Sequence, residues 1–363
     1  MDTGPQRGHW PPSTMEHVDR IAGCLIGTAI GDSVGLPAEG LSRQRVARRY
    51  AGGWKQRLVL GRGMCSDDTE HALFVAQALL RSRTEPDAFR RSLAWKFRWW
   101  LLALPAGCGL ATGRAILRLW LGWPSRRSGV RSAGNGAAMR SAVIGVTLHD
   151  DDNARTSLVT ESTRITHRDP RALTGALAVA EVAAWLCHHH EQLNITDLWK
   201  RLRSLAARDD REWSDLLDHL ADAWREHHEV MELAAALGAN DGVSGYVYQT
   251  VPIAIYAALH HREHPRAALE SVWRLGGDTD TVGAITGALL GVQHGPDAFP
   301  HEWLGKLCDW PRSPQLLRRV AHRLGCERSL WRPVHYAWPF VVPRNIVFFG
   351  VVLAHGFMRL GRR

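Results

Sequence analysis

The chain has no Cys-x-x-Cys pair, although it contains six cysteines in 363 residues. They stand at positions 24, 65, 108, 187, 308 and 326, which is not the spacing of a zinc ribbon or of a disulfide framework. Scattered cysteines are typical of a reduced compartment. The first residues, which include Asp2 and three prolines, also lack the apolar core of a secretory signal. We therefore expect a cytoplasmic protein.

Acidic residues are missing from one long stretch. No Asp or Glu occurs between Ala88 and His149, whereas ten Arg and Lys residues do, and the whole chain has a net charge of +9. A basic lobe of this kind attracts anionic ligands. A solvated basic surface, or a patch that binds nucleic acid or an acidic protein, has the same charge pattern. Charge alone does not choose between these interpretations.

Alternating apolar and polar residues, which are the signature of a half-buried strand, form no run long enough to predict a sheet. From Ile21 onward the chain is dominated by Ala- and Leu-rich segments with apolar residues every three to four positions, the period of an amphipathic helix. The sequence therefore predicts an all-α fold. Many of the 16 tryptophans, including Trp95, Trp99 and Trp120, lie in such segments and are expected in the core.

Two acidic clusters stand about 210 residues apart, each at the start of an apolar helical pattern. The first is Ser66, Asp67, Asp68 and Thr69, and the second is Asp278, Thr279, Asp280 and Thr281. Carboxylates this close repel each other, so a fold that keeps them together usually supplies a cation. Oxygen donors without nearby Cys or His suit Mg²⁺ or Mn²⁺ better than zinc. Ser, Asp and Thr are also the preferred N-cap residues, so each cluster alone fits an ordinary helix start.

Glycines recur every four residues beside both clusters, at positions 23, 27, 31 and 35 and again at 283, 287, 291 and 295. In a helix this spacing forms a ridge of small residues against which another backbone can pack closely. Asp32 lies within the first ridge and Glu39 just after it. Packing alone would explain the ridges, but it would not explain the carboxylates attached to them.

These segments, in this order, resemble the ADP-ribosylglycohydrolase family. The matching segments are residues 23–39, 66–69, 134–140, 165–167 and 276–283, and residues 300–303 are similar to the closing segment of the family. The resemblance covers roughly residues 20–325. It implies a compact orthogonal helical bundle around a binuclear metal site that holds two Mg²⁺ or Mn²⁺ ions.

The resemblance also assigns roles to individual residues. It implies metal ligands at Ser66, Asp67, Asp68, Asp278, Asp280 and Thr281. Glu39 matches the acidic residue that reaches the metals or the scissile bond, and we expect Glu39 and Asp280 to be catalytic. It further implies a ligand cleft lined by Asp32, Asn135, Gly136 and His167. Gln249 departs from the pattern, because many relatives carry an acid at that position.

The chain divides into three predicted regions: an irregular leader at residues 1–18, the catalytic domain at 19–330 and an extension at 331–363. The extension contains an uninterrupted apolar run of nine residues at 346–354, too short to cross a bilayer, followed by Arg359, Arg362 and Arg363. It is expected to be a helix packed on the domain or on a second copy, or one that contacts a membrane surface. The oligomeric state stays open.

We expect a metal-dependent hydrolase that removes ADP-ribose from a modified substrate, most simply ADP-ribosyl-arginine on a protein, with ADP-ribose as its ligand. Two alternatives stay open. The first is a binding or immunity protein on the same scaffold that recognises ADP-ribosylated targets or blocks a transferase, since a scaffold does not fix an activity. The second is a hydrolase of ADP-ribosylated nucleic acid, for which the basic lobe is the only support.

Overall fold

The structure, a computed structural model, describes residues 12–189 and 194–360. These residues form α-helices joined by short loops and 3₁₀ turns, and strand pairing among them is limited to isolated bridges. The all-α prediction is confirmed. The helices are α1 (Pro12–Gly35), α2 (Arg43–Arg49), α3 (Asp67–Ser82), α4 (Pro86–Leu102), α5 (Leu110–Trp120), α6 (Ala142–Thr147), α7 (Asp152–Thr166), α8 (Pro170–His188), α9 (Ile195–Arg203), α10 (Arg211–Arg225), α11 (Val230–Ala236), α12 (Val247–His260), α13 (Pro265–Trp273), α14 (Thr279–His294), α15 (His301–Leu304), α16 (Pro314–Leu324) and α17 (Val341–Leu360).

Helices α1 and α14 are the antiparallel pair at the centre of the molecule. Their glycine ridges meet: a Cβ atom built on Gly23, Gly27 or Gly31 would lie 1.9–2.0 Å from the carbonyl oxygen of Gly291, Gly287 or Gly283, respectively. No other residue fits at such distances, so the two backbones are in direct contact. This packing brings the end of α1 beside the start of α14, where the second acidic cluster lies.

The N-terminal prediction needs a correction. Helix α1 begins at Pro12, so the predicted irregular leader at residues 1–18 is too long. Proline is favoured in the first turn of a helix because its φ angle is preset and its missing N–H would have no partner there. The rest of that leader, residues 1–11, lies outside the described residues.

Three of the tryptophans that were expected in the core are on the surface instead. Trp95, Trp99 and Trp120 are 53%, 50% and 40% exposed, whereas Trp100 and Trp185 are buried as expected. The prediction failed because the period of a helix marks an apolar face but does not tell which neighbour covers it.

Two helical segments are apolar and long enough to span a membrane by composition alone, Glu16–Ala38 and Trp338–His355. The first is wholly buried in the protein, as expected of the central helix of the core. Only 17% of the second is buried. This second segment includes most of α17, whose inner face packs on the domain.

Candidate active site

The ends of three helices meet at one place. The C-terminal end of α1 continues through the 3₁₀ turn Leu36–Ala38 to Glu39, and the first turns of α3 and α14 face it. Thr281 Oγ1 of α14 lies 3.3 Å from Asp68 Oδ2 of α3, a hydrogen bond between residues 213 positions apart. The fold thus joins the two acidic clusters.

The first cluster is fixed by a buried acid of α1. The carboxylate of Asp32 accepts hydrogen bonds from the N–H groups of Ser66 (2.9 Å) and Thr69 (3.2 Å) and from Thr69 Oγ1 (2.6 Å). Backbone N–H groups at the start of a helix lack partners within the helix, so an acid placed there stabilises it. Burial raises the pKa of Asp32 to about 6, although these hydrogen bonds act in the opposite direction.

The second cluster is positioned by a glycine turn. Gly276 and Gly277 have φ angles of +76° and +77°, and a Cβ atom on Gly277 would lie 2.0 Å from Val243 O. Only glycine adopts this conformation readily at so close an approach. The turn delivers Asp278 to the N-cap of α14, where its Oδ2 accepts a hydrogen bond of 2.6 Å from Asn135 Nδ2.

Two of the carboxylates between these helices each have a buried oxygen that accepts no hydrogen bond from the described residues. One oxygen from each of Asp32, Asp68 and Asp280 lies within 4.8 Å of the others. Asp68 Oδ1 and Asp280 Oδ1 are buried and have no hydrogen-bond partner among the described residues. Burial and the neighbouring carboxylates raise the pKa values of both residues well above the usual range of aspartate. A cation would relieve this repulsion, and the all-oxygen donor set fits Mg²⁺ or Mn²⁺.

A cleft of about 650 Å³ opens above the carboxylates. Glu39, Asp67, Asp278, Asp280 and Thr281 line it. Glu39 is exposed at the rim, directly after the 3₁₀ turn, and its charge is close enough to raise the pKa values of Asp67 and Asp280. The cleft therefore has a carboxylate floor and one exposed acid at its edge.

One side of the cleft is a glycine turn packed on a histidine. A Cβ atom on Gly134 or Gly136 would lie 3.3 or 3.1 Å from the ring of His167. Burial lowers the pKa of His167 to about 3, so the ring is neutral at pH 7. Below the turn, buried Arg140 donates to the carbonyl oxygen of Gly136 and, over 2.7 Å, to Thr166 Oγ1. Arg140 thus holds the turn from beneath and does not line the cleft.

The structure places every predicted site residue at or just beneath the cleft. Asn135, Gly136 and His167 line it, and so do five of the six residues that the resemblance implies as metal ligands. Asp32 differs, because it is fully buried below the cleft surface and its carboxylate accepts hydrogen bonds from the start of α3. Gln249 also lies off the cleft lining: its Oε1 accepts a hydrogen bond from Ser244 N over 2.7 Å.

Sequence reasoning missed a buried charge network beside the first cluster. Arg344 of α17 donates to Asp309 (2.7 Å), to Glu70 (3.2 Å) and to the carbonyl oxygen of Cys65 (2.6 Å), the residue before Ser66. Glu70 also bonds Arg312 and the indole N–H of Trp100. The signal in the sequence was Arg344, which stands alone beside the apolar run at 346–354. A charged residue in such a place is usually buried with a partner of opposite charge.

A model of the ADP-ribosylglycohydrolase family matches residues 13–333 of this chain. The ADP-ribosyl-[dinitrogen reductase] glycohydrolase of Rhodospirillum rubrum is 27% identical, over 80% of this chain and 90% of its own. An ADP-ribosylarginine hydrolase of Pseudomonas putida is also 27% identical, over 83% of this chain and 77% of its own.

A solved structure described as an ADP-ribosylglycohydrolase-related protein complex aligns with 88% of this chain and 99% of its own, at a TM-score of 0.57 and 27% identity. The similarity therefore includes the sequence and the fold. The matched family region contains α1 through α16 and ends before α17.

Proposed function

This chain belongs to the ADP-ribosylglycohydrolase family, and from that premise we propose that it hydrolyses the bond between ADP-ribose and an arginine side chain of a modified protein. The general activity, hydrolysis of a glycosidic bond of ADP-ribose, belongs to the family. The choice of arginine is the part proposed for this chain.

The observation that carries the proposal is the pair of buried carboxylate oxygens without donors, Asp68 Oδ1 and Asp280 Oδ1. A scaffold that only bound its target would not need to keep several repelling carboxylates beneath its cleft. We propose that the carboxylates and hydroxyls of both clusters hold two Mg²⁺ or Mn²⁺ ions, with Ser66, Asp67, Asp68, Asp278, Asp280 and Thr281 as the ligands. When bound, such ions would supply positive charge at the distal ribose and lower the pKa of water there.

Other residues of the chain would supply the proton transfer and hold the site in place. Cleavage at the ribose C1 passes through a state that resembles an oxocarbenium ion, so the ring must be held still and the leaving group must receive a proton. Glu39, exposed at the rim, is our candidate for this acid/base role. Asp32 fixes the start of α3, and Asn135 fixes Asp278. Neutral His167 supports the glycine turn without adding charge beside the ligand.

The acceptor is proposed from the relatives and from the chemistry of the cleft. One relative is named for ADP-ribosylarginine. The arginine side chain leaves the ribose as guanidine and becomes a guanidinium cation when it takes up a proton. If Glu39 gives that proton, its carboxylate then stabilises the cation beside it. These points favour arginine over serine or a nucleobase.

The test is a hydrolysis panel with arginine-, serine- and nucleotide-linked ADP-ribose, each with Mg²⁺ and with Mn²⁺, measured as free ADP-ribose. We expect release from the arginine-linked substrate. Release only from the serine- or nucleotide-linked substrate would replace the acceptor. If ADP-ribose bound but no substrate were cleaved, the protein would be a binding module, and the proposed hydrolysis would be wrong.

A further inference from the structure

The inner face of α17 forms part of the cleft, although this helix lies beyond the matched family region of residues 13–333. Phe348, Val352 and His355 line the cleft. They belong to one stripe of the helix, and Arg344 and Asn345 lie on the same stripe, one turn before Phe348. One wall of the cleft, here called the α17 wall, therefore comes from a helix outside the region that matches the family model.

Buried polar contacts fix this wall relative to the carboxylates. Besides its bonds to Glu70 and Asp309, Arg344 donates to the carbonyl oxygen of Cys65, which adjoins the first acidic cluster. The next residue, Asn345, is fully buried and donates to Ala103 O over 2.7 Å. Because broken buried ion pairs are costly, α17 is held firmly in place.

His355 contributes an acceptor that has no partner. Its Nε2 lies 2.8 Å from Leu58 O, and a carbonyl oxygen only accepts, so Nε2 carries the proton. Nδ1 of the neutral ring is then an acceptor. It is buried, and it has no hydrogen-bond partner among the described residues. Because His355 lines the cleft, a ligand N–H or O–H that reaches this nitrogen would satisfy it and remove the cost of an unpaired buried group.

The rest of this wall is apolar and lies on the Glu39 side of the cleft. Phe348 packs with Leu36, Leu58 and Ala106, and Leu36 begins the 3₁₀ turn that leads to Glu39. Ser132, Gly134, Gly136 and His167 also line the cleft and pack on one another, and none of them belongs to the apolar cluster around Phe348. The cleft lining therefore includes a polar group of residues and a separate apolar group beside which His355 lies.

We propose that the α17 wall is the subsite for the acceptor, the group from which ADP-ribose is removed. It takes an acceptor with an apolar stem and an N–H donor, as the arginine side chain has: the stem packs on Phe348 and Val352, and an N–H donates to His355 Nδ1. This inference rests on the proposed function.

The test compares two ligands, ADP-ribose and ADP-ribosyl-arginine, in a Glu39→Gln background that slows turnover. Calorimetry gives the Kd of each ligand, and the ratio of the two Kd values is the affinity that the arginine adds. His355→Ala should remove about tenfold of it, the typical value of one hydrogen bond, and leave ADP-ribose affinity unchanged. His355→Asn, which keeps an acceptor near the position of Nδ1, should restore part of it. Leu353→Ala is the matched control, because Leu353 is 45% exposed and does not line the cleft.

Equal weakening of both ligands by His355→Ala would place the ADP-ribose portion on this wall and overturn the assignment. No change for either ligand would overturn it as well. A failure of the proposed function has a different signature, since the wild-type enzyme would then release no ADP-ribose from the arginine-linked substrate, while the affinity difference between the two ligands is still measured.

The outer face of α17 supports a second, independent inference. Val342, Ile346, Val347, Phe349 and Leu353 are all exposed, and from Val341 to Ala354 no exposed residue is charged. The apolar surface extends to the tryptophans: Trp338 lies 6.5 Å from Trp99, which lies 6.2 Å from Trp120, ring centre to ring centre. Trp310 and Phe340 pair at 4.9 Å. Exposed apolar patches of this extent mark interaction sites.

Basic side chains lie on tryptophans beside this patch. Arg98 stacks on Trp95 and Arg118 on Trp123, at 5.6 and 5.0 Å from the ring centres. The stretch that contributes α4 and α5 has no acid after Asp87 until Asp150. In a symmetric dimer through this face the same basic groups would meet across the axis and repel. An anionic lipid surface instead attracts them, and tryptophan favours the boundary between lipid and water.

We infer that this face, defined by the outer side of α17 and the tryptophans around Trp99, docks on an anionic membrane surface without crossing it. Sedimentation with phosphatidylcholine vesicles, with and without phosphatidylglycerol, tests this. The protein should pellet with the anionic vesicles, less so at high salt. The pair Ile346→Asp and Phe349→Asp should weaken binding at least about tenfold, because charge on the docking face opposes insertion. Met231→Asp, at an exposed site of α11, is the matched control.

Protein that stays in solution with both kinds of vesicle would overturn this inference. So would a wild-type dimer in analytical ultracentrifugation that the Ile346→Asp and Phe349→Asp pair makes monomeric, because a second copy would then be the occupant. Thermal unfolding of each variant checks that the exposed substitutions leave the fold intact.

Discussion

Two acids near the end of α1 have the same chemistry but opposite surroundings. Asp32 is fully buried and its oxygens accept hydrogen bonds from the start of α3, whereas Glu39 stands exposed at the cleft rim. An acid that is already occupied by backbone donors is poorly placed to exchange a proton with a ligand. Glu39 is therefore the better candidate for proton transfer, and Asp32 for support of the metal ligands.

Replacing Glu39 tests this division of roles. Glu39→Gln keeps the size and much of the hydrogen bonding but removes the charge. Turnover should fall by about 10²–10⁴-fold, the usual contribution of general acid/base catalysis, while ADP-ribose still binds. Turnover assays beside calorimetry with ADP-ribose measure the two effects. Glu85→Gln, at the exposed N-cap of α4 and outside the cleft, should change neither. Unchanged turnover in Glu39→Gln would remove this residue from the mechanism.

Asp280 tests the metal site. Asp280→Ala removes one of the two carboxylates with an unpartnered buried oxygen. Divalent-dependent activity should be lost with little change in far-ultraviolet circular dichroism. Asp67→Ala acts on the same site, so the two losses should not add in the double variant. Full activity of the wild-type enzyme after complete chelation would contradict this metal-dependent mechanism.

At the scale of helices, the glycine contact between α1 and α14 sets the geometry of the site. The carbonyl oxygen of Gly35 accepts a hydrogen bond of 2.9 Å from Thr279 Oγ1, directly between the two acids Asp278 and Asp280 of the second cluster. The distance between the two helices therefore decides how far the carboxylates of α1 lie from those of α14. A methyl group between the helices should separate them.

Gly31→Ala places such a methyl group 1.9 Å from Gly283 O. Overpacking of this kind typically costs about 1–3 kcal/mol. It should also weaken Mg²⁺ binding, because Asp32, which holds the start of α3 and its proposed ligands, would move away from Asp280 of α14. Denaturant unfolding and metal titration measure the two effects. Gly113→Ala in α5 is the matched control. Its methyl group would meet only Cys108 Sγ, at 3.4 Å, and alanine favours a helix, so stability should stay level or rise. A Gly31→Ala protein as stable as wild type would contradict the close packing.

At the scale of the whole molecule, the buried carboxylates link stability, pH and metal. Burial raises the pKa of Asp32 to about 6, and burial and neighbouring carboxylates raise the pKa values of Asp67, Asp68 and Asp280 well above the usual range of aspartate. Without metal the folded protein thus binds more protons than the unfolded chain. These groups favour the fold at low pH, and their contribution is lost as the pH rises through the raised pKa values.

A bound divalent ion should oppose this trend, because it requires deprotonated carboxylates. The stabilisation by Mg²⁺, read as the difference in Tm with and without the ion, should therefore shrink as the pH falls from about 7.5 to about 5.5. Half-buried His17 and the buried residues His71 and His167 have lowered pKa values and titrate in the opposite sense, but they contribute equally with and without Mg²⁺. Differential scanning calorimetry measures the difference. A Tm difference that stays constant with pH would contradict the linkage.

Several features of the site could be predicted from the sequence, for local reasons. The two acidic clusters and the two glycine ridges can be recognised by their spacing in the sequence. In the structure the two clusters lie side by side, and so do the two ridges. The remainder depends on partners that spacing does not identify. Nothing near Asp32 in sequence indicates that it binds the start of α3, and nothing near Arg344 names Glu70, which lies 274 residues away. Likewise, the apolar pattern around Trp99 does not reveal that this side chain stays exposed.

The pairing of α1 with α14 also affects how the protein is made. Gly35 and its partner Thr279 are 244 residues apart, so α14 leaves the ribosome long after α1. At about 5–20 residues per second, the delay is roughly 12–50 s. During that time the apolar, glycine-lined side of α1 has no native partner, and exposed apolar surface invites aggregation. A trigger factor or another chaperone that covers the first helix until the chain is nearly complete should therefore raise the yield of folded enzyme.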